Sequence, residues 1–368
     1  HTNKAIMTRI FQTLFLFSFY FSFTALAYSN NKIENSTKKD FDVNEVIMHH
    51  IKDSHDFHIL DWKGHPVSVP LPVILWTNEG LLVFMSSEFH HDDSGEIVVK
   101  RNNQSFVKFH EEIYYARNET EGNYIQFDSS KHPINDKPLD LSITKLVFSM
   151  FVSIIIIFVI FRLSAKSYAR SKKGEPSGIG KFTEPIIIYI KDEVALPLIG
   201  EEKHEKYLPF LLTIFFFIWI NNLMGMIPFF PFSANLSGNI AFTGLLALIV
   251  FVITTIVGNK HYWKHIFWMP GIPAPMKLFM APIEFLGIFI KPLSLMIRLF
   301  ANISAGHIIV LSLISLIFIF ESIWVAPASL LFSVFISLIE VLVVAIQAYI
   351  FTMLSALYIG TAMEEQKH

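Results

Sequence analysis

Between Tyr207 and Gly360 the chain carries eight charged residues, Lys260, Lys264, Lys277, Glu284, Lys291, Arg298, Glu321 and Glu340, and that scarcity limits what it can fold into. A stretch this long in water needs polar surface on every element; without it the chain must be solvated by lipid. Uninterrupted apolar runs of about 20 residues decide for helices. Composition agrees, with 52% hydrophobic and 16% charged residues, against about 25% charged in a soluble domain. The 37 Phe residues fall mostly in these runs. A formal net charge of -2 provides no basic surface for nucleic acid, and the absence of Cys excludes disulfides, thiol catalysis and Cys-ligated metals.

The first span is expected over about 145–163, and Arg162, Lys166, Arg170, Lys172 and Lys173 follow it. By the positive-inside rule that tail is cytoplasmic and the preceding segment lies outside. Residues 174–206, with Pro176, Pro185 and Pro197, read as a cytoplasmic segment holding an interfacial helix at about 185–199. The second span is expected over 208–228, ending at Pro228, and the third over 240–257, with Lys260 and Lys264 on the cytoplasmic side. Two long helices follow, about 276–319 and 329–360, separated by a short loop with Glu321, Pro327 and Ala328. The first is too long for one upright crossing and must tilt or begin in the interface. The expected fold is thus an all-α polytopic membrane protein of about five spans ending in a tilted helical hairpin, with a cytoplasmic C-terminus at Glu364, Glu365 and Lys367.

Residues 1–27 read as a signal peptide. His1 stands where Met is usual, Met7 is a candidate start, Arg9 supplies the positive region, 10–24 the apolar core, and Ala25-Leu26-Ala27 a small-x-small cleavage site before Tyr28. An uncleaved anchor helix is the alternative, and either leaves Arg9 inside. Residues 28–140 then form a small, mainly β exported (periplasmic) domain: Val67-Ser68-Val69 and Val73-Ile74-Leu75-Trp76 suggest strands, and Asn78-Glu79-Gly80 and Asp93-Ser94-Gly95 suggest turns. His49, His50, His55 and His58 match no metal-ligand spacing and read as a solvated face, so no metal or other cofactor is expected. Residues 141–368 form the membrane domain.

Arg298, the only Arg after Arg170, lies inside an apolar helix, where insertion costs about 2.5–3.5 kcal/mol. Glu284, Lys291, Ser294, Asn302, Ser304 and His307 share that helix; Glu340, Gln347 and Tyr349 are on the next. In an antiparallel pair, residues at equal depth have nearly constant index sums. The pairs Arg298–Gln347 and His307–Glu340 satisfy one register, with the turn near Ile323. Asn302 follows Arg298 by one helical turn on the same face, while His307 is roughly 13 Å further out and turned about 180°. The expectation is a His–Glu station toward the outside, an Arg–Gln–Asn group at mid-depth and Glu284 on the cytoplasmic side: two titratable stations flanking a permanent cation. Lys291 reads as a partner for Glu284 or a snorkelling residue, and Glu321 as a loop charge.

The run Lys291-Pro292-Leu293-Ser294-Leu295-Met296-Ile297-Arg298-Leu299-Phe300-Ala301-Asn302-Ile303-Ser304-Ala305-Gly306-His307 resembles the signature of the a subunit of F-type ATP synthases. Asn222-Leu223-Met224-Gly225-Met226-Ile227-Pro228 resembles that family's second-span ending, and Gln347-Ala348-Tyr349-Ile350-Phe351 with Tyr358-Ile359-Gly360-Thr361-Ala362 resembles its last helix. The resemblance covers about 141–365. It implies that Arg298 is the essential stator arginine, that Asn302 and Gln347 line aqueous paths, and that Glu284 and Ser294 occupy cytoplasmic-side positions. Many bacterial members have Glu where His307 stands and His where Glu340 stands; here the pair is interchanged, as in mitochondrial members, which suits proton transfer. The implied partners are c-ring subunits, a b-type peripheral stalk subunit, the F1 catalytic sector through the complex, and membrane lipid, in a cell inner membrane.

No Gly-rich phosphate loop ending in Lys-Ser/Thr occurs, so ATP chemistry is expected on other subunits. Two rival readings are an ion-coupled secondary transporter and a membrane anchor for the exported domain. The first predicts an internal repeat, and the Arg298 segment has no second copy; the second leaves Arg298 unexplained.

Overall fold

The computed structural model describes residues 52–62, 65–117, 124–130, 132–170, 175, 177–227, 230–268, 273–320 and 324–364. The leader, His49, His50, Pro228, Glu321 and the side chain of His58 lie outside the description.

Among the described residues eight strands come first: β1 (Asp56–Trp62), β2 (His65–Pro70), β3 (Pro72–Thr77), β4 (Gly80–Met85), β5 (Ser94–Arg101), β6 (Gln104–Phe109), β7 (Glu112–Tyr115) and β8 (Leu139–Asp140). They form three antiparallel sheets ordered β1-β2, β4-β3-β8 and β5-β6-β7. The turn expected at Asn78-Glu79 joins β3 to β4 with Thr77 opposite Gly80, whose φ of 118° suits glycine. Alternate residues Val73, Leu75, Leu82 and Phe84 point inward onto Phe89, Val99, Phe106 and Ile113.

Beside this apolar core lies a buried charge cluster. Lys108, 2% exposed, sits 3.6 Å from Asp56 and 3.4 Å from Glu111. His55, 3% exposed, places Nε2 2.9 Å from an Asp140 oxygen and Nδ1 3.7 Å from Glu111, and its main-chain N–H donates to Glu111. The expectation of a solvated histidine face therefore fails at His55, because two carboxylates make its burial tolerable. Burial opposes the His55 charge, but the Asp140 and Glu111 carboxylates outweigh it and push the imidazole up to about 9. Burial likewise opposes the Glu111 charge, yet the His55 bond and the Lys108 ammonium hold its carboxyl down at about 2.

A pH profile follows. The His55 contribution to stability is complete below its ordinary value of 6.5 and is lost as pH rises through about 9. The Glu111 contribution is complete above 4.5 and is lost as pH falls through about 2. Amide exchange of residues 52–140 in the intact protein should therefore be slowest, after correction for intrinsic rates, between about pH 4.5 and 6.5, and Glu111→Gln should reduce the weakening on both flanks along with much of the protection, while the Asp140–His55 pair keeps part of each. A flat profile for the wild type would count against the cluster.

The same segment grips the first membrane helix, α1 (Lys145–Arg170). Lys145 N–H donates to Ser54 O at 2.8 Å and Leu146 N–H to the Asp53 carboxylate at 3.1 Å, satisfying helix-end donors. Phe57 packs edge-on against Phe148 of α1 and against Phe230.

The helices continue as α2 (Gly180–Tyr189), a π-helical turn (Ile190–Ala195), α3 (Leu196–Ile199), α4 (His204–Gly225), α5 (Ile240–Val257), α6 (Lys260–Phe267), α7 (Ala274–Ile319) and α8 (Ala326–Met363). Of these, α1, α4, α5, α7 and α8 are long and apolar enough to cross a membrane, five among the described residues, as expected. The chain is a multi-pass membrane protein. α7 has 46 residues and so runs about 69 Å, twice the ~30 Å hydrocarbon thickness. Pro327 falls in the first turn of α8, where its missing N–H costs nothing. Asn239 and Asn259 cap α5 and α6 through their side chains.

Two compact units divide the chain, residues 304–343 in one and 51–303 with 344–368 in the other. In the larger, Leu211 and Ile218 of α4, Leu246 and Val250 of α5, Leu295, Leu299 and Ile303 of α7 and Val344, Ala348 and Phe351 of α8 form the membrane core with Ile190 and Val194. Gly360 brings α8 against α3 so closely that a Cβ there would clash with Leu198 O.

Candidate functional site

In the larger unit, packing rotates α7 so that an apolar ridge, Ile288, Leu295, Leu299 and Ile303, is buried. The opposite result falls on the polar row. Ser294, Arg298 and Asn302, spaced by one turn, are all exposed, flanked by exposed Leu293 and Ile297. The helix thus covers its greasy side and leaves its arginine uncovered, the reverse of what contact with lipid alone favours. Gln347 on α8 is buried, and no hydrogen bond joins it to Arg298 or Asn302 among the described residues.

Glu284 is half-buried one turn before Ile288. Burial, and then the Glu284 charge, hold the hydroxyl of Tyr262 on α6 above its ordinary range, which places the carboxylate near that ring. Lys291 makes no ion pair with Glu284 among the described residues; its ammonium lies over the Tyr358 ring, 5.8 Å from the centroid. Thr254, Tyr262, Lys291, Tyr358 and Thr361 line a cavity of about 20 Å³, room for about one water.

In the smaller unit, His307 Nδ1 stands 3.8 Å from Glu340 Oε1, with the carboxylate side chain 7% exposed. The two residues paired by hairpin register do meet. Gly306 makes the approach possible: a Cβ there would come within 3.0 Å of the same Glu340 oxygen. The Ser304 and Ser333 hydroxyls are buried without a partner among the described residues. Ser304 precedes His307 by three positions and Ser333 precedes Glu340 by seven, so each shares a face with one member of the pair. Gly306 and Ser333 were not singled out from sequence; the heptad spacing of Ser333 from Glu340 is the signal that would have found it.

A family model described as ATP synthase A chain matches residues 147–360, which is more than half of the chain. The chain belongs to the ATP synthase A chain family. Among its relatives, "ATP synthase subunit a" of Chloroherpeton thalassium is 40% identical over 235 residues, covering 62% of this chain and 69% of the relative. The protein of the same name from Chlorobium phaeobacteroides is 43% identical over 236 residues, covering 62% and 67%. A separate model, a domain of unknown function (DUF8433), matches residues 46–141. As an A chain, the protein is the proton-channel stator subunit of the membrane sector, works beside the c-ring and other subunits, and does not itself process nucleotide.

Proposed function

We propose that Arg298 is the fixed stator cation facing a carboxylate of the ring, that His307 and Glu340 form the outer proton station, and that Glu284 receives protons on the cytoplasmic side, with Asn302, Gln347 and Ser294 lining the paths. The observation that carries this is the uncovered face of α7. A guanidinium exposed on a membrane helix must meet another polypeptide or water, and a rotor helix presenting a carboxylate meets the need.

A proton entering from outside passes His307–Glu340 and neutralises a ring carboxylate. Neutral, that carboxyl can face lipid, because most of its burial cost is gone. When the ring brings it opposite Arg298, the cation lowers its pKa and the proton leaves toward Glu284. Arginine suits the barrier because its pKa exceeds about 12 and it relays no protons. One charge moved through 100 mV is worth about 2.3 kcal/mol, so several protons combine per ATP. α7 is unbroken through Arg298, which fits a rail beside a rotor better than the discontinuous helices of a secondary transporter.

The basic residues after α1 orient residues 28–140 outward and the C-terminus inward. A b-type stalk subunit and, through the complex, the F1 sector complete the assembly, with 1–27 acting as the leader, 28–140 as an exported domain and 141–368 as the membrane domain.

The chain has no Cys, so a single Ile297→Cys can be paired with one cysteine placed beside the carboxylate on the ring helix. Oxidation of the assembled complex should join the two and stop ATP-driven turnover. If Ile155→Cys on α1 links to the ring while Ile297→Cys links to no ring position, the uncovered face has been misassigned.

A further inference from the structure

We infer that the groove between α1, the π-helical turn and the start of α4 binds a phospholipid whose headgroup carries both a phosphate and a primary ammonium. A cavity of about 500 Å³ opens there, walled by Ile157, Phe161, Leu208, Pro209 and Leu212, with Lys191 and Glu205 also on its lining. The wall wants hydrocarbon. The charged residues want two opposite charges. Among the described residues neither Lys191 nor Glu205 makes an ion pair, although Lys191 is half-buried. A cation held partly out of water without a counter-charge is costly, and an anion supplied by a ligand removes the cost.

Local backbone geometry aims this lysine. Residues Ile190–Ala195 form a π-helical turn between α2 and α3, a wide turn that shifts the side chains after it relative to an α-helical path. Pro209 sits inside α4, where its ring has no N–H to give the preceding turn, and Thr213 donates its hydroxyl to Pro209 O at 2.7 Å. The α1 wall lies on the side of Arg162, which stacks over Phe158, and Lys166, the basic end of the span. The polar rim is therefore at a membrane–water interface, where a headgroup lies.

Dimensions choose between lipid and a neighbouring helix. From Glu205 to Thr213 is eight residues of α4, about 12 Å, so a cavity of about 500 Å³ has a cross-section of about 40 Å². A helix with its side chains, about 10 Å across, needs about 80 Å². Acyl chains fit; a spanning helix does not. The sign pattern chooses the headgroup: an anionic lipid satisfies Lys191 but is repelled by Glu205, and a quaternary ammonium has no N–H to donate to the carboxylate.

The test uses the intact synthase complex in nanodiscs, with a phosphatidylethanolamine carrying a photoactivatable acyl chain, and label counted per copy of this subunit. Labelling should map to 157–161 and 208–213 in the wild type, and unlabelled phosphatidylethanolamine should compete several-fold better than phosphatidylglycerol or phosphatidylcholine. Lys191→Ala should cut labelling about fivefold, the factor for one basic residue at a headgroup, Lys191→Arg should restore it, and Thr213→Trp should block the groove. Equal competition by phosphatidylglycerol, or labelling indifferent to Lys191→Ala, would overturn the proposal. So would wild-type crosslinking of these segments to another subunit in place of lipid, a result independent of how any variant folds.

Discussion

Arg298→Ala is expected to abolish ATP-driven proton pumping in inverted vesicles while the subunit still inserts and assembles. Deleting a group that stabilises charge in a water-poor site typically costs on the order of 10²-fold or more in rate, and here nothing on α7 substitutes: Lys291, the next cation on the helix, lies over the Tyr358 ring seven positions away. Folding should tolerate the change, because Arg298 is exposed and makes no hydrogen bond or ion pair among the described residues, whereas its neighbours Leu295 and Leu299 carry the packing. Arg298→Lys sharpens the test. A lysine in a partly desolvated site can lose its proton, so it should restore little pumping and should let protons leak past the rotor. Dye-quench assays at matched subunit levels measure both. Normal pumping by Arg298→Ala would remove the stator role altogether.

The rotation of α7 is what makes this prediction specific, and it was the part hardest to read from residues alone. Apolar run lengths located all five spans, because lipid solvation is a property of the run and needs no knowledge of neighbours. Ends drifted by two to seven residues: α1 runs on to Arg170, past the expected end at 163, α4 begins at His204, and α8 begins at Ala326 because Pro327 is tolerated in a first turn. Which side of α7 is covered depends on the ridge Leu295, Leu299 and Ile303 meeting α4, α5 and α8, a tertiary fact. The π-helical turn at 190–195 was equally hidden, since its residues carry ordinary helical propensity. In the β domain, Asn78-Glu79-Gly80 announced a turn by chemistry, but nothing in the sequence singled out Lys108, Asp56 and Glu111. Pairing is what makes their burial tolerable, and although Lys108 and Glu111 lie three positions apart, the Lys108–Asp56 pair spans 52 positions and leaves no local signature. The His307–Glu340 pair was legible because hairpin register is arithmetic, and one turn position fixes every depth.

That pair yields the second large effect. Glu340→Gln should slow proton transport on the order of 10²-fold, the usual loss when a positioned acid–base group is removed, while Glu321→Gln should leave it near the wild-type rate. His307→Ala should resemble Glu340→Gln, and the double variant should cost little more than either single one, because two members of one relay fail together. The interchange His307→Glu with Glu340→His keeps one acid and one imidazole on the same two positions and should recover much of the rate; a purely structural contact would not be rescued that way, since the buried carboxylate would have moved to a different helix. Gly306→Ala separates position from chemistry. It leaves both titratable groups in place but brings a methyl to within 3.0 Å of the Glu340 oxygen, displacing the carboxylate from an imidazole that already stands 3.8 Å away. Transport should fall several-fold, less than for Glu340→Gln, with subunit levels unchanged. Glu340→Gln and Glu321→Gln slowing transport equally would show that the buried carboxylate does nothing that a loop charge does not.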